Sequence, residues 1–190
     1  MIEDINRLFE ESAATVGRAK QRLAGRIAEA AEIIIEAYKS GGAVLLFGNG
    51  GSAADAQHIA GELVGRLLAE RRPLKAEALS TDSSVLTAIA NDYGYDAIFA
   101  RQLEAKGARG DVAVALSTSG NSASVVAGLA KARELSMKTV ALTGEGGGKC
   151  AKYADVLLDV PARSSPRIQE AHAVIYHILC ELVERQAARS

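Results

Sequence analysis

Tryptophan is absent from the chain, and only three phenylalanines and five tyrosines stand among its 190 residues. So few aromatic rings leave little material for stacking platforms against bases or sugars. Neither sign of charge prevails: 22 lysines and arginines face 23 aspartates and glutamates, a net charge of −1, and no basic block stands out. That balance argues against nucleic acid as the main ligand. Two cysteines, Cys150 and Cys180, form neither a metal-type spacing nor a framework of bridges, which suits a reducing compartment. No apolar run approaches the ~18 residues that would span a bilayer. The opening "MIEDINRLFEE" is acidic and amphipathic, unlike the basic-then-apolar layout of a secretory signal. These absences predict a soluble, cytoplasmic protein without a membrane or nucleic-acid partner. The length predicts one domain over 1–190 with a sizeable core.

What is present has two periods. Residues 2–38 repeat apolar side chains three, four or seven apart (Ile5, Leu8, Phe9, Val16, then Leu23, Ile27, Ile34, Tyr38), and "SGG" (40–42) stops the helix they imply. Beyond it, "AVLLF" (43–47), "DVAVAL" (111–116), "KTVAL" (138–142) and "ADVLLDV" (154–160) read as strands, the first three apolar on both faces. "EALS" (77–80) adds a short strand. Helical stretches fall at 52–69, 84–104, 122–135, 148–153 and 165–187. Alternating strands and helices predict an α/β fold, a parallel sheet covered on both sides.

Ligands of such sheets bind outside the carboxyl ends of the strands. Two loops stand there. "GNGGS" (48–52) leads from the first strand into a helix, and "STSGNS" (117–122) leads from the strand "VAVAL" into another. Glycines admit a ligand close to the backbone, and the N–H groups of a following helix favour anions. Ser117, Thr118, Ser119 and Ser122 surround one turn with four hydroxyls, more than helix capping requires. No lysine accompanies them, so the loop suits a phosphate monoester of modest charge.

Two nucleotide motifs fail on inspection. Gly48, Gly50 and Ala53 fit the dinucleotide pattern G-x-G-x-x-A, but its acidic partner about 20 residues on is missing: Glu70 precedes the next strand and Asp82 is too far along. "GEGGGKC" (144–150) is one residue too short for a triphosphate loop and puts Cys150 where a magnesium-binding hydroxyl belongs. It reads as a mobile turn.

His58 and Glu62 lie four apart, on one face of a helix, able to share a metal or a proton. In the last helix, at 100° per residue, His172 falls on the edge of the apolar stripe formed by Ile168, Ala171, Ile175, Ile178, Leu179 and Leu182. His177 falls about 140° from the centre of that stripe, and Gln169 about 80° from His177. His172 therefore reads as a packed histidine. His177 points away from its own core and needs another element, or another subunit, to enclose it, which places the expected site at an oligomer interface.

"FGNGGSAADAQHIAGELVGR", "AIANDYGYDAIF", "ALSTSGNSASVV", "TVALTGEGGGK" and "RIQEAHAVIYHILCELVE", in this order and spacing, resemble the phosphoheptose isomerases of the sugar isomerase (SIS) domain class over nearly the whole chain. The resemblance implies a three-layer SIS sandwich with long terminal helices, the N-terminal segment 1–40 serving oligomerisation. It implies conversion of sedoheptulose 7-phosphate to D-glycero-D-manno-heptose 7-phosphate, the first step toward heptoses of lipopolysaccharide core or related glycans. By the same resemblance, Ser117, Thr118, Ser119 and Ser122 grip the phosphate, and Asn49, Gly50, Gly51, Asn91 and Asp92 line the sugar. His58, Glu62, Gln169 and His177 match a zinc site, one ion per subunit, with Glu62 and Gln169 also reaching substrate. A homotetramer with active sites between subunits is implied as well. Pro166 departs from the pattern, standing where some members carry an acidic residue. Ketose–aldose exchange needs a base for the C1 proton and an acid for the carbonyl oxygen, and Glu62 and His177 are the candidates for these roles. The alternatives are a non-catalytic SIS-fold regulator that binds the replication initiator, and an isomerase of another sugar phosphate.

Overall fold

The computed structural model describes residues 1–189; Ser190, the last residue of the expected domain, lies outside the described residues. Five strands form one parallel sheet: Val44–Gly48 (β1), Ala76–Ala78 (β2), Val112–Ser117 (β3), Lys138–Thr143 (β4) and Val156–Asp159 (β5). Six α-helices accompany them: Ile2–Lys39 (α1), Gly51–Val64 (α2), Ser83–Tyr93 (α3), Ile98–Lys106 (α4), Ala123–Glu134 (α5) and Ser165–Ala187 (α6). The sheet order is β2-β1-β3-β4-β5. After β2 the chain returns to the other side of β1, so the order reverses between β1 and β3. The helices leave on opposite faces there and open a crevice at the strand ends.

Successive residues of a strand face opposite sides, and both sides are covered. Val44, Leu46, Val112, Val114, Leu116, Val140 and Leu142 pack against α1, α2 and α6. Leu45, Phe47, Ala113, Ala115 and Ala141 pack against α4 and α5. The second face uses small residues around one large one: Phe47 is fully buried and its ring centroid lies 5.1 Å from that of Phe99. A Cβ on Gly128 of α5 would sit 2.7 Å from the Phe47 ring, so that helix comes close only because the position is glycine.

Two expected helices differ from their sequence limits. The helix over 52–69 ends at Val64, because Arg71 donates to the carbonyls of Glu62 (2.6 Å) and Gly65 (2.9 Å) while Glu184 of α6 accepts from the N–H groups of Leu67, Leu68 and Ala69. Side chains thus take the hydrogen bonds another turn of helix would have used. The helix over 84–104 is broken at Gly94, whose φ of +88° suits glycine, and a 3-10 turn at Tyr95–Ala97 re-aims the chain before α4. The segment 148–153 is a 3-10 turn.

Helix α1 runs 38 residues, about 57 Å at 1.5 Å per residue. Its inner face is buried from Thr15 to Ala37, whereas Ile2, Ile5, Leu8 and Phe9 are exposed. The periodicity over 2–38 is therefore that of a helix, but the apolar side chains of its first turns stay exposed, and Arg167 of α6, which donates to the Leu8 carbonyl oxygen (2.7 Å), makes a polar contact there. Among the described residues no helix is long and apolar enough to cross a membrane.

Candidate active site

Gly48 at the end of β1 and Leu116, one residue before the end of β3, are register partners, so the loops after the two strands emerge side by side. A Cβ on Gly48 would lie 2.7 Å from the Leu116 carbonyl oxygen, which makes glycine the residue that fits this approach. Asn49 ties the loops together. Its amide donates to Ser122 Oγ (2.8 Å) and Ser124 Oγ (3.0 Å), and its Oδ1 accepts from the Tyr95 hydroxyl (2.9 Å). The break at Gly94 is what brings Tyr95 to this point.

Asn49, Ser52, Ser117, Thr118, Ser119, Ser122, Val125 and Gln169 line a cavity of about 210 Å³. Three helices begin around it: α2 after Gly50, α5 after Ser122 and α6 after Ser164. Gly50 has no side chain to cap α2, and neither Ser122 nor Ser164 caps its helix, although Asp82 does so for α3, accepting from Val85 N at 3.0 Å. The first N–H groups of the three helices are left free of side-chain caps while several hydroxyls stand at hand. Such a setting favours an anion with several acceptor oxygens.

The segment 144–150 packs against the serine loop and is not the mobile turn its glycines predict. A Cβ on Gly120 would lie 2.1 Å from the Gly147 carbonyl oxygen, and Gly120 has φ +62°. Cys150 N donates to Gly120 O (2.9 Å) and Lys149 N to Asn121 Oδ1 (3.1 Å), while the Asn121 amide donates to Ser119 O (2.8 Å). The glycine cluster is a wall behind the serines.

The second half of the site joins α2 to α6. His58 Nε2 lies 3.1 Å from Glu62 Oε1, and the His58 and His177 rings meet edge to face with centroids 5.0 Å apart. The side chain that encloses His177 thus comes from α2 of the same chain. One ligand-capable atom from each of His58, Glu62 and His177 lies within 4.8 Å of the others. His177 Nδ1 is 2.7 Å from the Ala173 carbonyl oxygen, which only accepts, so Nδ1 carries the proton and Nε2 keeps its lone pair. Two imidazole nitrogens and a carboxylate are a donor set that holds a divalent transition metal, and the residues present fit one.

Other expected site residues are placed differently. Gln169 lies two turns before His177 on α6 and packs on Gly51, where a Cβ would come within 2.5 Å of its amide nitrogen; it lines the serine cavity. Gly50 caps α2 with φ +57°. Asn91 and Asp92 are exposed at the end of α3, and the Asn91 amide donates to Asp92 Oδ1 (2.8 Å). No described hydrogen bond joins them to Asn49 or to the histidines, and they do not line the serine cavity. Pro166 occupies the first turn of α6, where a missing N–H costs nothing. Ser165 beside it donates to Thr118 Oγ1 (3.3 Å), joining α6 to the serine loop.

Sequence reading missed Ser124, Tyr95, Tyr176 and Asp55. Ser124 continues the serine run, and Asp55 lies three residues before His58 on the same helix face, a spacing that was available. Tyr95 and Tyr176 reach the site through the packing of separate elements, which no local spacing reports.

Comparison with known proteins places this geometry. The SIS domain family model matches residues 7–144. A phosphoheptose isomerase of Aquifex aeolicus is 53% identical over 184 residues, covering 97% of this chain and 96% of its own. One from Geobacter sulfurreducens is 50% identical over 186 residues, with 98% of each chain covered. The solved structure of a phosphoheptose isomerase from Neisseria gonorrhoeae superposes with a TM-score of 0.91 at 44% identity, over 96% of this chain and 98% of its own.

Proposed function

The chain belongs to the phosphoheptose isomerases of the SIS-domain family, aldose–ketose isomerases acting on sugar phosphates, and we propose that its reaction interconverts D-sedoheptulose 7-phosphate and D-glycero-D-manno-heptose 7-phosphate. This would be the first step in making heptose precursors for lipopolysaccharide core or related glycans, carried out in the cytoplasm. The observation that carries the reading is the crevice itself. A hydroxyl-rich anion cavity at the β3–α5 loop, walled by Ser52 of α2 and Gln169 of α6, adjoins a carboxylate–histidine cluster on those same two helices, at the switch point of the sheet.

In this reading Ser117, Thr118, Ser119 and Ser122, with the first N–H groups of α5, hold the phosphate. Asn49, Gly50, Gly51 and Gln169 contact the sugar, joined by Asn91 and Asp92. Glu62 takes the proton from C1 of the open-chain ketose. His177, its Nδ1–H held by Ala173, donates to the C2 carbonyl oxygen from Nε2 when that nitrogen is protonated and not on a metal, giving the enediol. Return of a proton to C2 and loss of one from the C1 hydroxyl complete the aldose, so no proton or electron is lost overall. His58, Glu62 and His177 would hold a zinc ion, with Gln169 at the sugar side. When bound, the ion supplies Lewis-acid stabilisation of negative charge on the substrate oxygens. The exposed apolar residues Ile2, Ile5, Leu8 and Phe9 of α1 and Val174 and Ile178 of α6 support a homotetramer built on segment 1–40, with the sites closed by neighbouring subunits.

The test is product formation by the zinc-loaded protein from sedoheptulose 7-phosphate, compared with fructose 6-phosphate and ribulose 5-phosphate. The heptulose should be turned over with a kcat/KM at least about a hundredfold above the others, the scale of discrimination that a few hydroxyl contacts provide. Glu62→Gln should lower kcat by about a thousandfold with the sugar phosphate still bound. Preference for a shorter ketose phosphate would overturn the substrate assignment, and an active Glu62→Gln variant would overturn the base.

A further inference from the structure

Tyr176 is 4% exposed and its ring packs between the two histidines, 5.3 Å from His58 and 4.8 Å from His177 by centroids. Its hydroxyl is what the fold leaves unexplained. That oxygen lies 3.3 Å from His58 Nδ1, and beside the Asp55 carboxyl, close enough for each group to alter the other's proton affinity. Asp55 Oδ2 is shielded from solvent, accepts no hydrogen bond of full geometry, and has the Tyr176 hydroxyl within reach. A buried acceptor left short of a donor is costly, so the hydroxyl beside it calls for a reason.

A phenol has one proton to give and can accept one in return. Neutral His58 also has one N–H, at either nitrogen. With that proton on Nε2, facing Glu62 Oε1, the Nδ1 lone pair accepts from Tyr176, and Asp55 Oδ2 is left without a donor. The heavy atoms admit it, since His58 Nδ1 and the Tyr176 oxygen lie 3.3 Å apart whichever of them gives the proton. With Nε2 given to a cation, the proton stands on Nδ1, the Tyr176 oxygen accepts it, and the Tyr176 O–H is free to turn onto Asp55 Oδ2. The second arrangement satisfies every member of the chain.

We propose that Tyr176 is a positioning residue, a hydroxyl switch between His58 Nδ1 and Asp55 Oδ2 that frees His58 Nε2 for a cation and makes Asp55 and Tyr176 part of the cation site. The proposal rests on the metal reading of His58, Glu62 and His177 given above. Carboxylate partners that orient metal-bound histidines elsewhere contribute 10- to 100-fold in metal affinity; here a tyrosine stands between the two.

The experiment measures zinc dissociation constants by chelator competition, on the metal-free full chain, for wild type, Tyr176→Phe, Asp55→Ala and the double variant. Phenylalanine keeps the ring between the histidines and removes only the hydroxyl. Tyr176→Phe should bind zinc about tenfold more weakly than wild type, and Asp55→Ala likewise. The double variant should be no weaker than the weaker single one, because the two act as a unit. In zinc-loaded wild type, nitrogen NMR should find the His58 proton on Nδ1. A merely structural tyrosine would lower the unfolding temperature of the metal-free variant and leave zinc affinity unchanged. Unchanged affinity beside a wild type that binds zinc overturns the switch and spares the metal site, as would additive losses in the double variant. A wild type that binds no zinc overturns the metal site and the switch with it.

Discussion

His172 and His177 lie five positions apart on α6 and meet opposite surroundings. His172 is fully buried, its Nε2 3.1 Å from the Thr143 carbonyl oxygen, and burial pushes its pKa down to about 4. His177 is half-buried at the crevice with its Nε2 lone pair available. The angular positions of the two on the helix were legible from the sequence, because 100° per residue separates an apolar stripe from the side beyond it. What His177 would meet was not legible, since that depends on where α2 lies. The buried histidine has a consequence for pH. Its folded pKa is below the unfolded value of about 6.5, so the unfolded chain gains the proton first as pH falls. Stability is then unaffected above pH 6.5 and is lost between 6.5 and 4, by about 3 kcal/mol for this group. Urea midpoints measured from pH 7 to pH 4.5 should fall, and the fall should be shallower in His172→Leu, whatever that variant loses at neutral pH. An equally steep fall in the variant would remove His172 as the cause.

At the scale of elements, strands and their order of alternation were readable because both faces of the sheet are apolar. The observed strands agree with the expected ones to within two residues. The helix limits went wrong where a distant side chain or one glycine intervenes. Glu184 and Arg71 terminate α2 from 120 residues and seven residues beyond Val64 respectively. Burial alone would raise the Glu184 carboxyl, but three backbone N–H groups and Arg71 outweigh it and hold the group below the ordinary carboxylate range. Glu184→Gln should cost about 3 kcal/mol in urea unfolding, since it leaves the Arg71 guanidinium buried without its counter-charge. The wall behind the serine loop was equally illegible, because glycine clusters look alike whether they hinge or pack. Its prediction concerns binding. Gly120→Ala forces the serine loop away from Gly147 and should raise KM for the sugar phosphate about tenfold or more, with a smaller change in kcat. Asn121→Ala, which removes the bridge to Lys149 N and Ser119 O, should move KM in the same direction. A change confined to kcat in both variants would sever the wall from phosphate binding.

In the whole molecule, the reversal of strand order between β1 and β3 brings the glycine loop, the serine loop and the start of α6 to one crevice, and the first turns of α1 present exposed apolar side chains. Replacing Ile5 and Phe9 with glutamate should leave the subunit folded, because neither contributes to either core, while lowering the mass in light scattering and the activity together. Full activity in a dispersed subunit would show that one chain completes the site. The central claim is that this crevice moves a proton between adjacent carbons of a sugar phosphate. Its most direct test is proton NMR of sedoheptulose 7-phosphate in D2O with the purified, zinc-loaded protein. Aldose signals should grow with solvent deuterium entering the exchanging C1 or C2 position, and both changes should vanish in Glu62→Gln. Unchanged ketose signals, with line broadening from bound sugar phosphate, would make the protein a binder and contradict the account.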